Sequence, residues 1–301
     1  MNNHPSDEEL ELWLGRRMEQ AADRLIEAHL EICRDCEARL DAVGQCSREE
    51  VWRRRAGDFQ QHEPIKLPAP TSPGFIGRLE RFDVKKSLGW GGMGEVFLAY
   101  DSRVQGRRPV AIKVIKPILA AQPEFLRRFR READTASQVK SDYVVGIIQV
   151  ETEGGDGCPP FLVMEYIEGK TLDKQIKSAE PNKKTPARGL EPRYAAQIAL
   201  HVAQGLVAVH AMGLVHRDIK PSNIMLDVKT RRARITDFGL ARSVDSGLAR
   251  TRGEIGTPEY MSPEQFESSM GDIDHPSDIY SLGVVLYEML IGERPFCGDT
   301  G

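Results

Sequence analysis

Asp218, Lys220 and Asn223 stand together in Val215-His216-Arg217-Asp218-Ile219-Lys220-Pro221-Ser222-Asn223, and Asp237-Phe238-Gly239 follows 19 positions after Asp218. A carboxylate, an ammonium group, an amide and a second carboxylate in this order suit phosphoryl transfer. That reaction depends on in-line geometry, a divalent ion and neutralised charge more than on covalent chemistry. Asp218 would accept a hydrogen bond from an attacking hydroxyl and orient it, and Lys220 would sit near the γ-phosphate. Asn223 and Asp237 would supply the hard oxygen ligands that magnesium, or manganese in its place, requires. Each residue alone has a plainer explanation, such as a turn aspartate or a helix-capping asparagine. The ordered set does not.

A second group lies upstream. Gly89-Trp90-Gly91-Gly92-Met93-Gly94 has glycines at its first, third and sixth positions, where the backbone could approach phosphates closely. This spacing also fits a dinucleotide fold, but there a helix should follow. Here Glu95-Val96-Phe97-Leu98-Ala99-Tyr100 follows, rich in strand formers. No Lys-Ser or Lys-Thr pair comes after the glycines, so a P-loop is excluded too. A second strand, Pro109-Val110-Ala111-Ile112-Lys113-Val114-Ile115, carries one lysine among apolar residues. A solvated lysine is the bland reading. Against it, Glu132 lies 19 positions on, in the helix-like segment 124–140, where a Lys113–Glu132 ion pair would aim the ammonium at the α- and β-phosphates. Arg127, Arg128, Arg130 and Arg131 on the same segment read as a solvated basic face.

These residues need a scaffold that changes character along the chain. From Phe82 short strands alternate with glycine and turn residues; after Pro123 helical patterns take over. That order predicts an α+β fold, a small sheet lobe followed by a larger helical lobe. Ahead of it, residues 7–42 have apolar positions at helical spacing, and Pro64, Pro68, Pro70 and Pro73 mark a linker. The expected division is a helical head over residues 1–45, a linker over 46–79 and the main domain over 80–301.

The 301 residues are 40% hydrophobic and 29% charged, as in an ordinary globular protein, and the net charge of −4 gives no reason to expect a nucleic-acid partner. The stretch around Ile279 to Ile291 is too short and too polar for a bilayer, and the acidic N-terminus has no apolar signal core, so a cytoplasmic location is expected.

Together these strings resemble the eukaryotic-type (Hanks-type) protein kinase family in its bacterial serine/threonine form. The glycine loop, Val110–Lys113, His216–Asn223 and Asp237–Gly239 match in order and spacing over about residues 80–301. Ser262-Pro263-Glu264 resembles the family's Ala-Pro-Glu, and Gly256-Thr257-Pro258-Glu259 its serine/threonine substrate loop. The resemblance implies a bilobal fold, ATP as cosubstrate and protein substrates with serine or threonine. It places Leu88, Gly89, Gly91, Gly92, Gly94, Val96, Ala111, Met164 and Met225 around ATP. The Glu165 carbonyl and Ile167 amide would meet adenine. Asp278 would hold the catalytic loop. Thr251, flanked by Arg250 and Arg252, stands where similar kinases autophosphorylate, and its phosphate would pair with Arg217. Thr257 would bond Asp218 and Lys220. The family continues for several helices, one supplying an arginine to the glutamate matching Glu264. The chain stops at Gly301, so a truncated kinase is expected, with Glu264 lacking that partner and the central helix exposing apolar surface.

The head has its own motif. His29, Cys33 and Cys36 have the spacing H-x3-C-x2-C, and i, i+4 residues share a helix face. In a reducing compartment this favours zinc over disulfides. The pattern resembles the anti-sigma-factor type of zinc finger, in which a fourth ligand precedes by about a helix, and His4 stands nearest that place. The alternative is a small helical hairpin with reduced cysteines. A zinc-bound head would be regulatory and could receive a partner protein. The competing reading of the whole chain is a non-catalytic interaction protein, though every catalytic position carries the active residue.

Overall fold

The computed structural model describes residues 5–6, 65–70, 72–104, 108–152, 158–179, 189–237, 258–266 and 273–296. They fall, apart from residues 5–6, in one compact unit, Ile65–Cys297. The head with His4, His29, Cys33 and Cys36 lies outside the described residues. So do Phe238, Gly239, Thr251 and Thr257.

The unit opens with β1 (Gly77–Leu79), β2 (Phe82–Trp90), β3 (Gly94–Asp101) and β4 (Pro109–Ile115). Two short helices follow, α1 (Pro117–Ala120) and the longer α2 (Pro123–Ala136), then β5 (Ile147–Glu151) and β6 (Phe161–Glu165). The strands form one antiparallel sheet in the order β1-β2-β3-β4-β6-β5. Strand β4 is central and buried from Val110 onward. Its alternating side chains divide between two cores. Val110, Ile112 and Val114 join Phe82, Phe97 and Phe161 on one face; Ala111 and Ile115 join α2 and Met164 on the other. Lys113 is odd-numbered and shares the face of Ala111. Helix α2 begins with Pro123 and buries Phe125, Phe129, Ala133 and Ala136, one stripe at helical spacing. Arg127, Arg130 and Arg131 point to solvent.

The helical part contains β7 (Gly169–Thr171), α3 (Leu172–Lys177), α4 (Pro192–His210), β8 (Ile224–Asp227), β9 (Ala233–Ile235), the short α5 (Pro263–Phe266) and α6 (His275–Ile291). Helix α4 buries Ile198, Val202, Leu206 and Val209. Gly205 is required there, because a Cβ would lie 2.8 Å from Ile235 and 2.9 Å from the Tyr143 carbonyl. Helix α6 starts at the Asp274 cap with Pro276 in its first turn and ends at Gly292 in the left-handed conformation, φ 85°. The two helices run antiparallel: Leu190, just before α4, donates to the Met289 carbonyl, while His210 at its end bonds Asp278 near the start of α6. Strands β7-β8-β9 form a small sheet against α4.

The stretch expected to be linker up to residue 79 behaves differently from residue 65 on. Ile65 is buried in the sheet-lobe core with Leu79 and Phe82, and Leu67 packs beside it. Arg78 donates its amide to the Pro68 carbonyl at 3.0 Å. A Cβ on Gly77 would sit 2.5 Å from Leu67. Proline lacks an amide donor but keeps its carbonyl, so an extended Pro-rich segment can still accept from β1. The bulky residues between the prolines decide the matter.

Candidate active site

Helices α4 and α6 fix the loop that carries the reactive groups. Asp278, fully buried, accepts from the His216 amide (2.8 Å), the Arg217 amide (2.8 Å) and contacts His210 Nε2 (2.8 Å). Arg217 stands at φ 62°. A non-glycine residue in that region carries strain that surrounding contacts must hold, and the Asp278 carboxylate does so from below. Gln265 adds a bond from its side-chain nitrogen to the Arg217 carbonyl at 3.0 Å.

On this platform Asp218 sits between two donors. Lys220 Nζ is 3.0 Å from Asp218 Oδ2, and Asn223 Nδ2 donates to the Asp218 carbonyl at 2.9 Å and to Oδ2 at 2.8 Å. The Asn223 amide nitrogen is thus committed, which turns its side-chain oxygen away as an acceptor. The Asn223 backbone carbonyl accepts from the Thr236 amide at 2.9 Å, tying this loop to the start of Asp237. His216 completes the tie. Its Nδ1 accepts from the Asp218 amide at 3.3 Å, which leaves Nε2 to donate to the Thr236 carbonyl at 3.1 Å. Burial pushes the His216 pKa down, against the opposing charges of Asp278 and Asp218. A neutral ring suits both bonds.

Lys113 reaches Asp237 rather than Glu132. Its Nζ lies 2.8 Å from Asp237 Oδ1, and the lysine side chain is 6% exposed. The Lys113–Glu132 pair expected from spacing is therefore corrected in this conformation. The lysine's strand brings it to the aspartate, which stands at φ 58° just beyond β9. Burial would raise the Asp237 pKa, yet the Lys113 charge and hydrogen bond, helped by Lys220, hold it below the usual carboxylate range. An ionised Asp237, whose Oδ2 has no partner among the described residues, and the side-chain oxygen of Asn223 are hard donors of the kind that fits magnesium, which needs one or two protein ligands when phosphates supply the rest. Among the described residues there is no group of three or more His, Cys, Asp and Glu poised for a metal.

The residues expected around a base converge. Val96 pairs directly with Lys113, and Ala111 with Met164. Val96, Ala111, Met164, Ile167 and Met225 belong to one apolar cluster spanning the sheet and the small C-terminal sheet. Leu88 is partly exposed on β2. Gly89, Gly91 and Gly92 have open space where a Cβ would be, 3.8 Å being the nearest approach. At Gly91 and Gly92 the local packing does not demand glycine, which leaves room for a ligand, whereas Gly89 stands at φ 159°, a conformation that side chains rarely adopt. Gly94 differs: a Cβ would fall 1.8 Å from the Val114 carbonyl, so close strand approach requires it. Next to Lys113 a small cavity is lined by Phe129, Leu162, Met164, Thr236 and Asp237.

Three further contacts were not legible from motifs. Arg234 Nη2 bonds Glu165 Oε2 at 2.6 Å and the Val144 carbonyl at 2.7 Å. Gln265 reaches Arg217, as above. Ser277 Oγ donates to Glu264, a hydroxyl contact separate from the arginine pairing that the resemblance implies for this carboxylate. Serine at the first turn of α6 was the available signal. The expectation of apolar exposure on that helix agrees with Ile279, Tyr280, Tyr287 and Ile291, all more than a third exposed.

The family pattern described as protein kinase domain matches residues 82–301. The chain is 41% identical over 226 residues to serine/threonine-protein kinase PknB of Mycobacterium tuberculosis, covering 73% of this chain and 34% of the relative. It is 40% identical over 229 residues to the probable serine/threonine-protein kinase PknB of Bifidobacterium longum, covering 31% of that protein. The chain thus spans about a third of the length of these curated relatives. In structure it is similar to the PknI kinase domain of Mycobacterium tuberculosis, with a TM-score of 0.58 and 27% identity, covering 75% of this chain and 79% of that one. Among the described residues no helix is long and apolar enough to cross a membrane.

Proposed function

This chain belongs to the protein kinase domain family, and on that premise we propose that it transfers the γ-phosphate of ATP to serine and threonine hydroxyls of protein substrates. The observation that carries the reading is the Asp278-anchored loop that sets Asp218 between Lys220 and Asn223, with the Asn223 carbonyl bonded onward to Thr236, the neighbour of Asp237. The serine/threonine choice is supported by the names of the PknB relatives.

In this reading Asp218 accepts the hydrogen bond of the attacking hydroxyl and orients it. Lys220, already beside it, meets the charge developing on the transferred group. Lys113 neutralises Asp237 in the free protein and turns to the α- and β-phosphates when nucleotide enters. Val96, Ala111, Met164, Ile167 and Met225 enclose the base, with the Glu165 carbonyl and Ile167 amide meeting its edge. Asn223 and Asp237 would hold magnesium or manganese, which supplies charge neutralisation when bound with ATP. Glu132 becomes the lysine's partner in a nucleotide-loaded arrangement. The test is transfer of labelled phosphate from ATP to a generic protein substrate by the chain and by a form extended past Gly301. Lys113→Met and Asp218→Asn should each abolish transfer with the melting curve kept; near wild-type turnover in either variant rejects the assignment.

Regulation is proposed at two places. Phosphorylation of Thr251 would give Arg217 a doubly charged, bidentate partner and order the segment. Phosphosite mapping after incubation with ATP that finds no phosphate on Thr251, with Thr251→Ala fully active, would remove this idea. The head would bind zinc through His4, His29, Cys33 and Cys36 and present a surface to a regulatory protein in the cytoplasm. Metal analysis finding no zinc in protein purified without chelator would dispose of it.

A further inference from the structure

Arg234 lies on β9, three residues before Asp237, and reaches across to the other lobe. Its Nη2 donates to Glu165 Oε2 at 2.6 Å and to the Val144 carbonyl at 2.7 Å, with the arginine side chain 15% and the glutamate 34% exposed. Glu165 closes β6 and begins the connection between lobes. Its own amide donates to the Gly146 carbonyl at 2.9 Å. Gly146 leaves the space the carboxylate fills, since a Cβ there would be 3.2 Å from the Glu165 carboxyl carbon. The same short stretch is zipped to β9: Ile235 donates to the Tyr143 carbonyl and Val145 donates to the Ile235 carbonyl, both at 2.8 Å. Arg234 is also paired in register with Met225, on the floor of the base-binding cluster.

Stability alone gives little reason for a charged residue here. A part-buried ion pair gains little over apolar packing, and Arg234 Nε is buried without a hydrogen-bond partner, which itself costs about 1–3 kcal/mol. What the pair does accomplish is geometric. One end of the bound nucleotide would lie on the Glu165–Ile167 backbone, the other at Asp237. Arg234 joins the strand leading to Asp237 directly to the Glu165 side chain.

We propose that Arg234 is a positioning residue for nucleotide binding: by clamping Glu165 and Val144 to β9 it fixes the separation between the hinge that holds adenine and the aspartate that holds the metal-bound phosphates. The inference rests on the nucleotide-site reading above. A ligand that touches both ends gains from that fixed span, because the ordering is already present before binding. A ligand touching only the hinge gains nothing from it.

The experiment is calorimetric titration of the full 301-residue chain and of Arg234→Met with adenosine, and with ADP in the presence and absence of magnesium. In Arg234→Met the affinity for magnesium-ADP falls about tenfold, in keeping with the steep cost of misplacing groups by a fraction of an ångström, whereas adenosine binds within about twofold of the parent. Arg234→Lys, a cation without the planar fork, recovers part of the loss. If Arg234→Met does not fold, Arg234→Met combined with Glu165→Gln removes the stranded carboxylate and carries the same expectation. Unchanged or tighter magnesium-ADP binding overturns the inference, and so does an equal loss for adenosine, which would make Arg234 a wall of the base pocket only. Parent protein that binds no magnesium-ADP would overturn the nucleotide-site reading itself, a result separable from failure of the arginine's role.

Discussion

Asp278 concentrates three polar contacts on one buried carboxylate, two of them from consecutive amides of the catalytic loop. Asp278→Ala strands both amides and releases the turn at Arg217. Its expected cost is about 3–5 kcal/mol of stability, the range for removing one member of a buried charged network, with phosphate transfer lost. Denaturant unfolding checks the first and the transfer assay the second; a variant within about 1 kcal/mol of the parent contradicts the anchoring role. His216 makes a pH prediction. Its folded pKa is lowered by burial, as is that of His201, so near pH 6 the unfolded chain binds more protons than the folded one. The neutral rings' stability is present above the ordinary histidine pKa of about 6.5 and is lost as pH falls below it. The melting temperature should therefore drop between about pH 7 and 5.5, ahead of the carboxylates. A flat profile across that window would argue against a neutral imidazole at the buried His216.

At the scale of elements, the glycine loop joins two requirements that substitution can separate. Gly94→Ala forces a methyl group into the Val114 carbonyl, 1.8 Å away, and should part β3 from β4. A loss of roughly 3 kcal/mol or more is expected, since backbone cannot yield as a side chain can. Gly92→Ala meets nothing within 4 Å, so stability should stay within about 0.5 kcal/mol while the KM for ATP rises severalfold. Equal effects on stability from the two variants would refute the distinction. Helix α2 is seated on the sheet by its buried stripe, in which Phe125 and Phe129 stack.

For the molecule as a whole, the sheet lobe begins earlier than its motifs. A chain starting at residue 80 would lose Ile65, Leu67 and β1, and with them part of the core around Leu79 and Phe82. Burying one such side chain is worth about 1.5–3 kcal/mol. The shorter form should thus melt several degrees below one starting at residue 65, and coincident melting curves would show the Pro-rich segment to be dispensable. The exposed stripe of α6, from Ile279 to Ile291, sets a second condition at this scale: handling of the protein should show self-association suppressed by mild detergent.

The polar motifs were legible in the sequence because the chemistry confines them to short ordered strings: the Asp218–Asn223 loop, Asp237, and the glycines before a strand. The α+β order of lobes was legible too, since periodicity changes from two to 3.6 within one chain. Lys113 could be named but not partnered. Spacing along the chain puts it near a helix carrying Glu132, while the choice between two carboxylates depends on how α2 and β9 approach the sheet. Arg234 and Gln265 belong to no motif, and their bonds join positions 69 and 48 residues apart, a separation over which local patterns carry no information. The Pro-rich stretch read as linker by composition because proline content speaks for extended backbone and says nothing of what that backbone lies against. Residue types thus determined which chemistry the chain carries, whereas only the packing of α4, α6 and the two sheets decided which groups meet, because contacts distant in sequence are set by which surfaces close over one another.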